Sequence, residues 1–214
     1  MTTALRRIAP PLSNDVVVHA TPATWVAADA SVGSMWERAR TGDTRALRWI
    51  YDRHAAGIHR FLLGLTKSVP AAHDATQETF ARAFTRLDAL QDPERLVAWL
   101  FGIARRVVME QWKSVRREPK VGASEDAANS EDVGTLATPE SILLGREAAG
   151  ILEASLERLS VDRRAVLLLR VDHDLGYEAI AEVMGWSVAK AKVEVHRARL
   201  ELRAGLQRYE EDDR

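Results

Sequence analysis

Apolar residues in the stretch 69–117 recur at the spacing of an amphipathic helix, and this pattern constrains the fold more than any other feature. In its second half, Leu96, Leu100, Ile103 and Val107 lie three or four positions apart. This spacing places them on one helix face that is wide enough to be buried in a core. The same period recurs through most of the chain from residue 34 onward, so the sequence predicts an all-α protein.

The end of this stretch is basic and aromatic. Cationic side chains can neutralise phosphates, and flat aromatic rings can stack on exposed bases. An ordinary amphipathic helix with solvated charges explains the same pattern, and the residues alone leave both interpretations open. The residues concerned are Trp99, Arg105, Arg106, Trp112, Lys113, Arg116 and Arg117.

The first half of the stretch has the opposite polarity. Asp74, Gln77 and Glu78 present two acids and an amide on successive turns of a predicted helix. One helical unit is therefore predicted to carry an acidic face and a basic, aromatic face.

Composition narrows the possible functions. The formal net charge is -1, so any binding to nucleic acid must come from local patches rather than from a global field. The chain contains no cysteine, which excludes disulfides, thiol catalysis and cysteine zinc sites and fits a reducing compartment. No apolar run approaches the roughly 20 residues of a membrane span, and no secretory segment is recognisable. We therefore expect a cytoplasmic protein without membrane insertion.

The histidines give no indication of catalysis or metal binding. None of the six pairs with another four residues away beside a glutamate, as in zinc proteases, and no glycine-rich phosphate loop occurs. His54 and His59 are predicted to lie on a helix surface, and Asp172, His173 and Asp174 to form a polar turn. We expect no enzymatic activity, no metal and no cofactor.

Breaks in the helical pattern divide the chain into four parts. Residues 1–33 contain prolines among small and polar residues and are predicted to be a flexible extension. Residues 34–117 are predicted to form one helical domain and residues 139–209 a second. Between them, residues 118–138 are acidic and poor in large apolar side chains, which is typical of a flexible linker.

Helix starts in the first domain are predicted from capping residues. Ser34 has Glu37 three positions on, which is the spacing of a capping box. A second helix is predicted over residues 44–66, a third over residues 74–87, and a fourth from about Pro93, which suits a first helical position.

The second domain contains the pattern of a helix-turn-helix. Residues 177–184 are predicted to form a short helix, Gly185 and Trp186 a tight turn, and Ser187 the cap of a longer helix. Lysines on such a helix can contact guanine or phosphate, and a glutamate can accept a hydrogen bond from cytosine. A purely structural hairpin with a solvated basic face is the alternative. The positions predicted to face DNA are Ser187, Ala189, Lys190, Lys192, Glu194 and Arg197.

The motifs in this order resemble a known family. Residues 74–80 read Asp-x-x-Gln-Glu-x-Phe, residues 99–105 read Trp-Leu-x-x-Ile-Ala-Arg, and residues 175–185 read Leu-x-Tyr-x-x-Ile-Ala-x-x-Met-Gly. Together with the closing His-Arg-Ala-Arg, this is similar to a sigma factor of bacterial RNA polymerase, of the extracytoplasmic-function (ECF) group of the sigma-70 family. The resemblance covers residues 34–206.

The resemblance implies roles for the two faces and for the helix-turn-helix. Asp74, Gln77 and Glu78 match the part of sigma region 2 that docks on the β′ clamp helices, where they suit pairing with arginines. Arg95 and the basic, aromatic helix match the part that melts and reads the minus-ten element. The second domain matches region 4, which reads the minus-thirty-five element. Implied partners are core RNA polymerase (β′ clamp helices and β flap) and promoter DNA, with an anti-sigma factor as a further candidate.

Four positions depart from the common family pattern and leave the promoter sequence open. Arg106 stands where asparagine is common, Glu110 where aspartate is common, Glu194 where a basic residue is frequent, and Gly176 where serine is common. A second hypothesis is an autonomous helix-turn-helix regulator with an N-terminal sensor or dimerisation domain. Such a regulator needs no melting surface and should bind duplex DNA without polymerase.

Overall fold

The computed structural model describes residues 30–117 and 150–212, and every regular element in these ranges is a helix. The predicted all-α fold is thereby confirmed, while the predicted linker and most of the predicted extension lie outside the described residues. The N-terminal group comprises α1 (Ala30–Arg40), α2 (Thr44–Thr66), α3 (Val69–Thr85) and α4 (Leu96–Arg117), with short 3-10 turns at Leu87–Ala89 and Pro93–Arg95. The C-terminal group comprises α5 (150–157), α6 (Val161–Val171), α7 (Tyr177–Met184) and α8 (Val188–Asp212).

Capping residues explain where the N-terminal helices begin. The Asp43 carboxylate accepts the N–H of Arg45 at 2.8 Å and starts α2 at Thr44, as predicted. The predicted start of α3 at Asp74 is wrong, because Ser68 caps the helix and Pro70 is accommodated in its first turn. The capping box predicted at Ser34 is also wrong, since Ser34 lies inside α1.

The N-terminal core forms around α2, which packs against α1, α3 and α4. Ile50, Phe61 and Leu62 of this helix are almost completely buried, because their spacing keeps them on one face. The ring centroids of Tyr51 and Phe80 lie 4.8 Å apart and join α2 to α3. This packing fixes the positions of α3 and α4, which carry the two predicted faces.

The helix-turn-helix is formed as predicted. Gly185 ends α7 with a φ of 67°, a left-handed conformation that glycine adopts without steric cost. The Ser187 hydroxyl then accepts the N–H of Lys190 at 3.2 Å and caps α8. The second helix of the motif, α8, therefore begins where the sequence predicts.

The two groups of helices pack against each other, α2 on α6 and α4 on α7. Leu168 of α6 lies over Gly64, where a Cβ atom would come within 2.7 Å of the leucine Cδ1. His173 follows α6, and its ring centroid lies 4.7 Å from that of Phe101 and 6.2 Å from that of Phe61. The interface thus combines a close helix approach at a glycine with a buried cluster of rings.

No helix in residues 30–117 or 150–212 is both long and apolar enough to span a membrane.

Candidate nucleic-acid and polymerase interfaces

The predicted polymerase-docking residues lie together on α3. Asp74, Gln77 and Glu78 are all exposed, because the opposite face of the helix is buried through Ala75, Thr76, Thr79 and Phe80. They form the acidic face of the molecule. Their spacing over one helix turn presents two carboxylates and an amide to the same side.

Arginine contacts link the acidic face to α4. The Arg82 guanidinium donates to Glu78 at 2.6 Å and to Glu110 of α4 at 2.5 Å. The hydrogen bond from Arg82 holds the pKa of the Glu110 carboxyl below its usual value. Glu110 therefore joins α3 to α4 through an arginine that it shares with Glu78.

The basic, aromatic face lies along α4. Trp99 and Trp112 are half-buried and pack against the core, while Arg106 and Lys113 are exposed. Arg116 and Arg117 belong to the same helix, but their side chains lie outside the described part. This face lies on the helix that neighbours the acidic face, as the sequence predicts.

Two predicted minus-ten residues are paired with acids of the C-terminal helices. A guanidinium nitrogen of Arg95 lies 2.8 Å from Glu182 of α7, and one of Arg105 lies 2.8 Å from Asp162 of α6. Hydrogen bonding to Glu182 raises the pKa of Arg95. These carboxylates occupy the donors that would otherwise be available to phosphate oxygens.

Two further ion pairs across the same interface have the same polarity. Arg60 lies 3.7 Å from Asp172, and Lys67 lies 3.0 Å from Glu153. In all four pairs the cation belongs to the N-terminal helices and the carboxylate to the C-terminal helices. These pairings were not predictable from the sequence, because in three of the four cases the partners are 86 or more positions apart and nothing local marks them.

The predicted minus-thirty-five residues lie in the first turns of α8. Ser187, Ala189, Lys190 and Lys192 are exposed, and Arg197 is exposed two turns further on. The Lys190 ammonium sits 4.2 Å from the centroid of the Trp186 ring, a cation–π arrangement. The sequence predicts for Trp186 only a place in the turn, whereas the structure shows that its ring also contacts a lysine predicted to face DNA.

Glu194 differs from the other predicted reading residues, because its side chain is only 16% exposed. Arg163 of α6 donates to one carboxylate oxygen at 3.2 Å, and Arg197 donates to the other at 2.9 Å. Partial burial opposes ionisation of Glu194, but these two hydrogen bonds outweigh it and lower its pKa.

One histidine prediction is wrong, because His54, predicted on a helix surface, is 6% exposed. His173 lies in the turn after α6, as predicted, but its side chain is buried there and only 2% exposed. Burial lowers the pKa of each to about 4, so both imidazoles are neutral at pH 7. In residues 30–117 and 150–212, no cluster of histidine and acidic side chains could hold a metal ion.

Family models match both groups of helices. "Sigma-70 region 2" matches residues 50–118, and "Sigma-70, region 4" matches residues 149–202, so that more than half of the chain is covered. The chain belongs to the sigma-70 family.

Similar proteins narrow the assignment to one group of that family. The chain is 30% identical over 166 residues to RNA polymerase sigma factor YlaC of Bacillus subtilis, covering 77% of this chain and 94% of the relative. It is also 30% identical over 170 residues to ECF RNA polymerase sigma factor SigL of Mycobacterium tuberculosis, covering 79% and 93%. It is therefore an ECF sigma factor, which directs promoter-specific transcription initiation with core RNA polymerase. Sigma factors are regulators rather than catalysts.

Solved structures agree with the fold. The structure of CnrH in complex with the cytosolic domain of CnrY matches with a TM-score of 0.60 at 23% identity, covering 84% of this chain and 98% of that one. The sigma factor RpoE of Bartonella quintana, solved with the anti-sigma factor NepR, also gives 0.60 at 23% identity, covering 75% and 96%.

Proposed function

We propose that the acidic face of α3 docks this sigma factor on core RNA polymerase, that α4 holds the melted minus-ten strand, and that α8 reads the minus-thirty-five element. The observation that carries the proposal is the pairing of two unlike faces on adjacent helices. Asp74, Gln77 and Glu78 are exposed on α3, and Trp99, Arg106, Trp112 and Lys113 line α4. A docking face beside a cationic, aromatic face would hold a single strand against the polymerase.

The proposed domain organisation follows the same division. Residues 34–117 would form the region 2 domain, residues 118–138 the linker and residues 139–209 the region 4 domain, after an extension of residues 1–33. The β′ clamp helices would bind the acidic face, and the β flap would bind the region 4 domain. The chain would act in the cytoplasm, would perform no covalent chemistry, and would be a candidate for regulation by an anti-sigma factor.

Binding of the minus-ten strand would require Arg95 and Arg105 to exchange partners. In the packed arrangement Glu182 and Asp162 neutralise them, whereas in the initiation complex DNA phosphates would do so. Each pair is partly exposed, and such pairs are weak because water and salt screen them. The exchange is therefore energetically accessible when the two groups of helices separate.

Co-elution with core RNA polymerase on a sizing column tests the docking assignment. Glu78→Arg places a cation where a carboxylate is expected to meet arginines, so we expect its core affinity to fall about tenfold or more. Arg86→Glu, which reverses a charge near the end of the same helix but outside the acidic face, is the matched control. Full core affinity of the Glu78→Arg variant would reject the docking assignment.

Binding of the wild-type chain to duplex DNA tests the remaining alternative. An autonomous regulator should shift a promoter duplex without polymerase, whereas we expect a shift only after core RNA polymerase is added.

A further inference from the structure

One arginine outside the predicted reading helix is bonded to two acids of that helix. Arg163, near the start of α6, donates through Nε to Glu194 at 3.2 Å and through Nη1 to Glu201 at 2.7 Å. The two glutamates are seven residues apart, so they lie on one face of α8, two turns from each other. We call Arg163, Glu194 and Glu201 the α6–α8 clamp.

The clamp lies beside a part of α8 whose fully buried residues are small, while Val188 and Leu202 pack partly against the core on either side. The buried residues that seat this part of α8 are Ala191, Val195 and Ala198, all of them small. Small side chains allow close approach but interdigitate little, so they resist rotation of a helix about its axis less than large ones do. A guanidinium bonded at two points, two turns apart, supplies that resistance.

The clamp also removes an unfavourable charge from the DNA side. Glu194 lies one helix turn beyond Lys190, on a helix expected to approach DNA phosphates, where a free carboxylate would repel them. Both of its oxygens are instead bonded to arginines, to Arg163 on one side and to Arg197 on the other. The acid at this position is compatible with DNA binding because Arg163 neutralises it and draws it toward α6.

We propose that Arg163 is a positioning residue for minus-thirty-five recognition: it fixes the rotation of α8 and withholds Glu194 from the DNA. Glu194 then orients α8 as part of the clamp, and Lys190, Lys192 and Arg197 contact the bases. The clamp lies wholly within the C-terminal helices, so it persists when they separate from α2 and α4. The inference rests on the proposed assignment of α8 to the minus-thirty-five element.

A double-mutant cycle in the reconstituted holoenzyme tests the inference. The probe is a library of promoter duplexes with a randomised minus-thirty-five segment. The wild-type holoenzyme selects sequences from this library, and the affinity of each variant holoenzyme for each selected sequence is then measured. Arg163→Ala should lower affinity for the selected sequences about tenfold and alter base preference, because Glu194 keeps only Arg197 as a partner and α8 loses both bonds of the clamp. Glu194→Gln alone removes a carboxylate together with one bond of the clamp, so its affinity should fall less than that of Arg163→Ala. In the Arg163→Ala background, Glu194→Gln should restore the part of the loss that comes from the exposed charge, while the altered base preference should remain.

Controls separate positioning from folding and from core binding. Arg158→Ala removes an exposed guanidinium just before α6 and should leave affinity and base preference unchanged. Arg163→Lys keeps the charge but not the fork, so it should retain part of the affinity. Core co-elution should be similar for all variants, and thermal melting should show each of them folded at the temperature of the binding assay.

Three results would overturn the inference. Wild-type affinity of Arg163→Ala would show that the clamp does not matter for binding. If Arg163→Ala and the double variant bound the selected sequences equally weakly, with the base preference of the wild type, the role of Arg163 would be purely structural. If the wild-type holoenzyme selected no minus-thirty-five sequence at all while still co-eluting with core, the proposed role of α8 would fail first, and the inference with it.

Discussion

Mild acid should destabilise this protein through its two buried histidines. Burial holds the pKa of His54 and of His173 at about 4, whereas an unfolded chain leaves imidazole near 6.5. The folded state disfavours the charged form of both histidines. Their contribution to the free energy of unfolding is therefore fully present above about pH 6.5 and is lost as the pH falls from 6.5 toward 4. Below that window these two groups contribute no further loss.

The magnitude follows from proton linkage. At pH 5 the unfolded imidazole is almost fully protonated and the buried one is almost fully neutral, which costs about 2 kcal/mol for each histidine. The pair therefore predicts a loss of about 4 kcal/mol between pH 7.5 and pH 5, a large part of the 5–15 kcal/mol typical of a folded domain. Burial also lowers the pKa of His59, which adds to the loss in the same direction.

Urea unfolding at fixed pH values, followed by circular dichroism, measures this loss directly. His54→Gln and His173→Gln should each remove about half of the change in unfolding free energy between pH 7.5 and pH 5. This holds whether or not the substitution alters the unfolding free energy at pH 7.5. His196→Gln, on the exposed side of α8, is the matched control and should retain the parent slope. Equal free energies of unfolding at pH 7.5 and pH 5 in the parent, or an undiminished slope in the His54→Gln/His173→Gln variant, would refute the reasoning.

Three further predictions follow from the two interfaces. Lys190→Ala with Lys192→Ala should weaken binding of the holoenzyme to its promoter. It should also reduce the slope of log affinity against log salt concentration by about 2, because two phosphate-neutralising cations are lost. An unchanged slope in a salt titration would reject phosphate contacts by these lysines. Asp162→Asn with Glu182→Gln should remove the acidic partners of Arg105 and Arg95. The affinity of the isolated chain for a single-stranded minus-ten oligonucleotide, measured by fluorescence anisotropy, should then rise up to about tenfold. Unchanged affinity would show that these acids do not compete with DNA. Gly64→Leu should force α6 away from α2, because even a Cβ there lies 2.7 Å from Leu168 Cδ1, and should increase the radius of gyration in X-ray scattering. Its control is Gly102→Ala, whose added Cβ would find its nearest neighbour, Val183 Cα, 4.0 Å away.

Much of the fold could be predicted because its signals are local. The apolar period, Asp43 before α2, Gly185 in the turn and Ser187 before α8 each act on residues within one or two turns. The α3 start was missed because Ser68 and Pro70 together resemble a stop signal as much as a start signal. The acidic and basic faces were predictable for the same reason, since helix period alone decides which side chains share a side.

The sequence by itself determined the helices, the helix-turn-helix and the residue types on each face, because all of these depend on spacing along the chain. Only the tertiary structure decided which charges are engaged. It pairs Arg95 with Glu182 and Arg105 with Asp162, turns Glu194 toward Arg163, and encloses His173 between Phe61 and Phe101. The physical reason is distance: ion pairing and desolvation depend on separation in space, and these partners come together only when α6, α7 and α8 pack on each other and on the N-terminal helices.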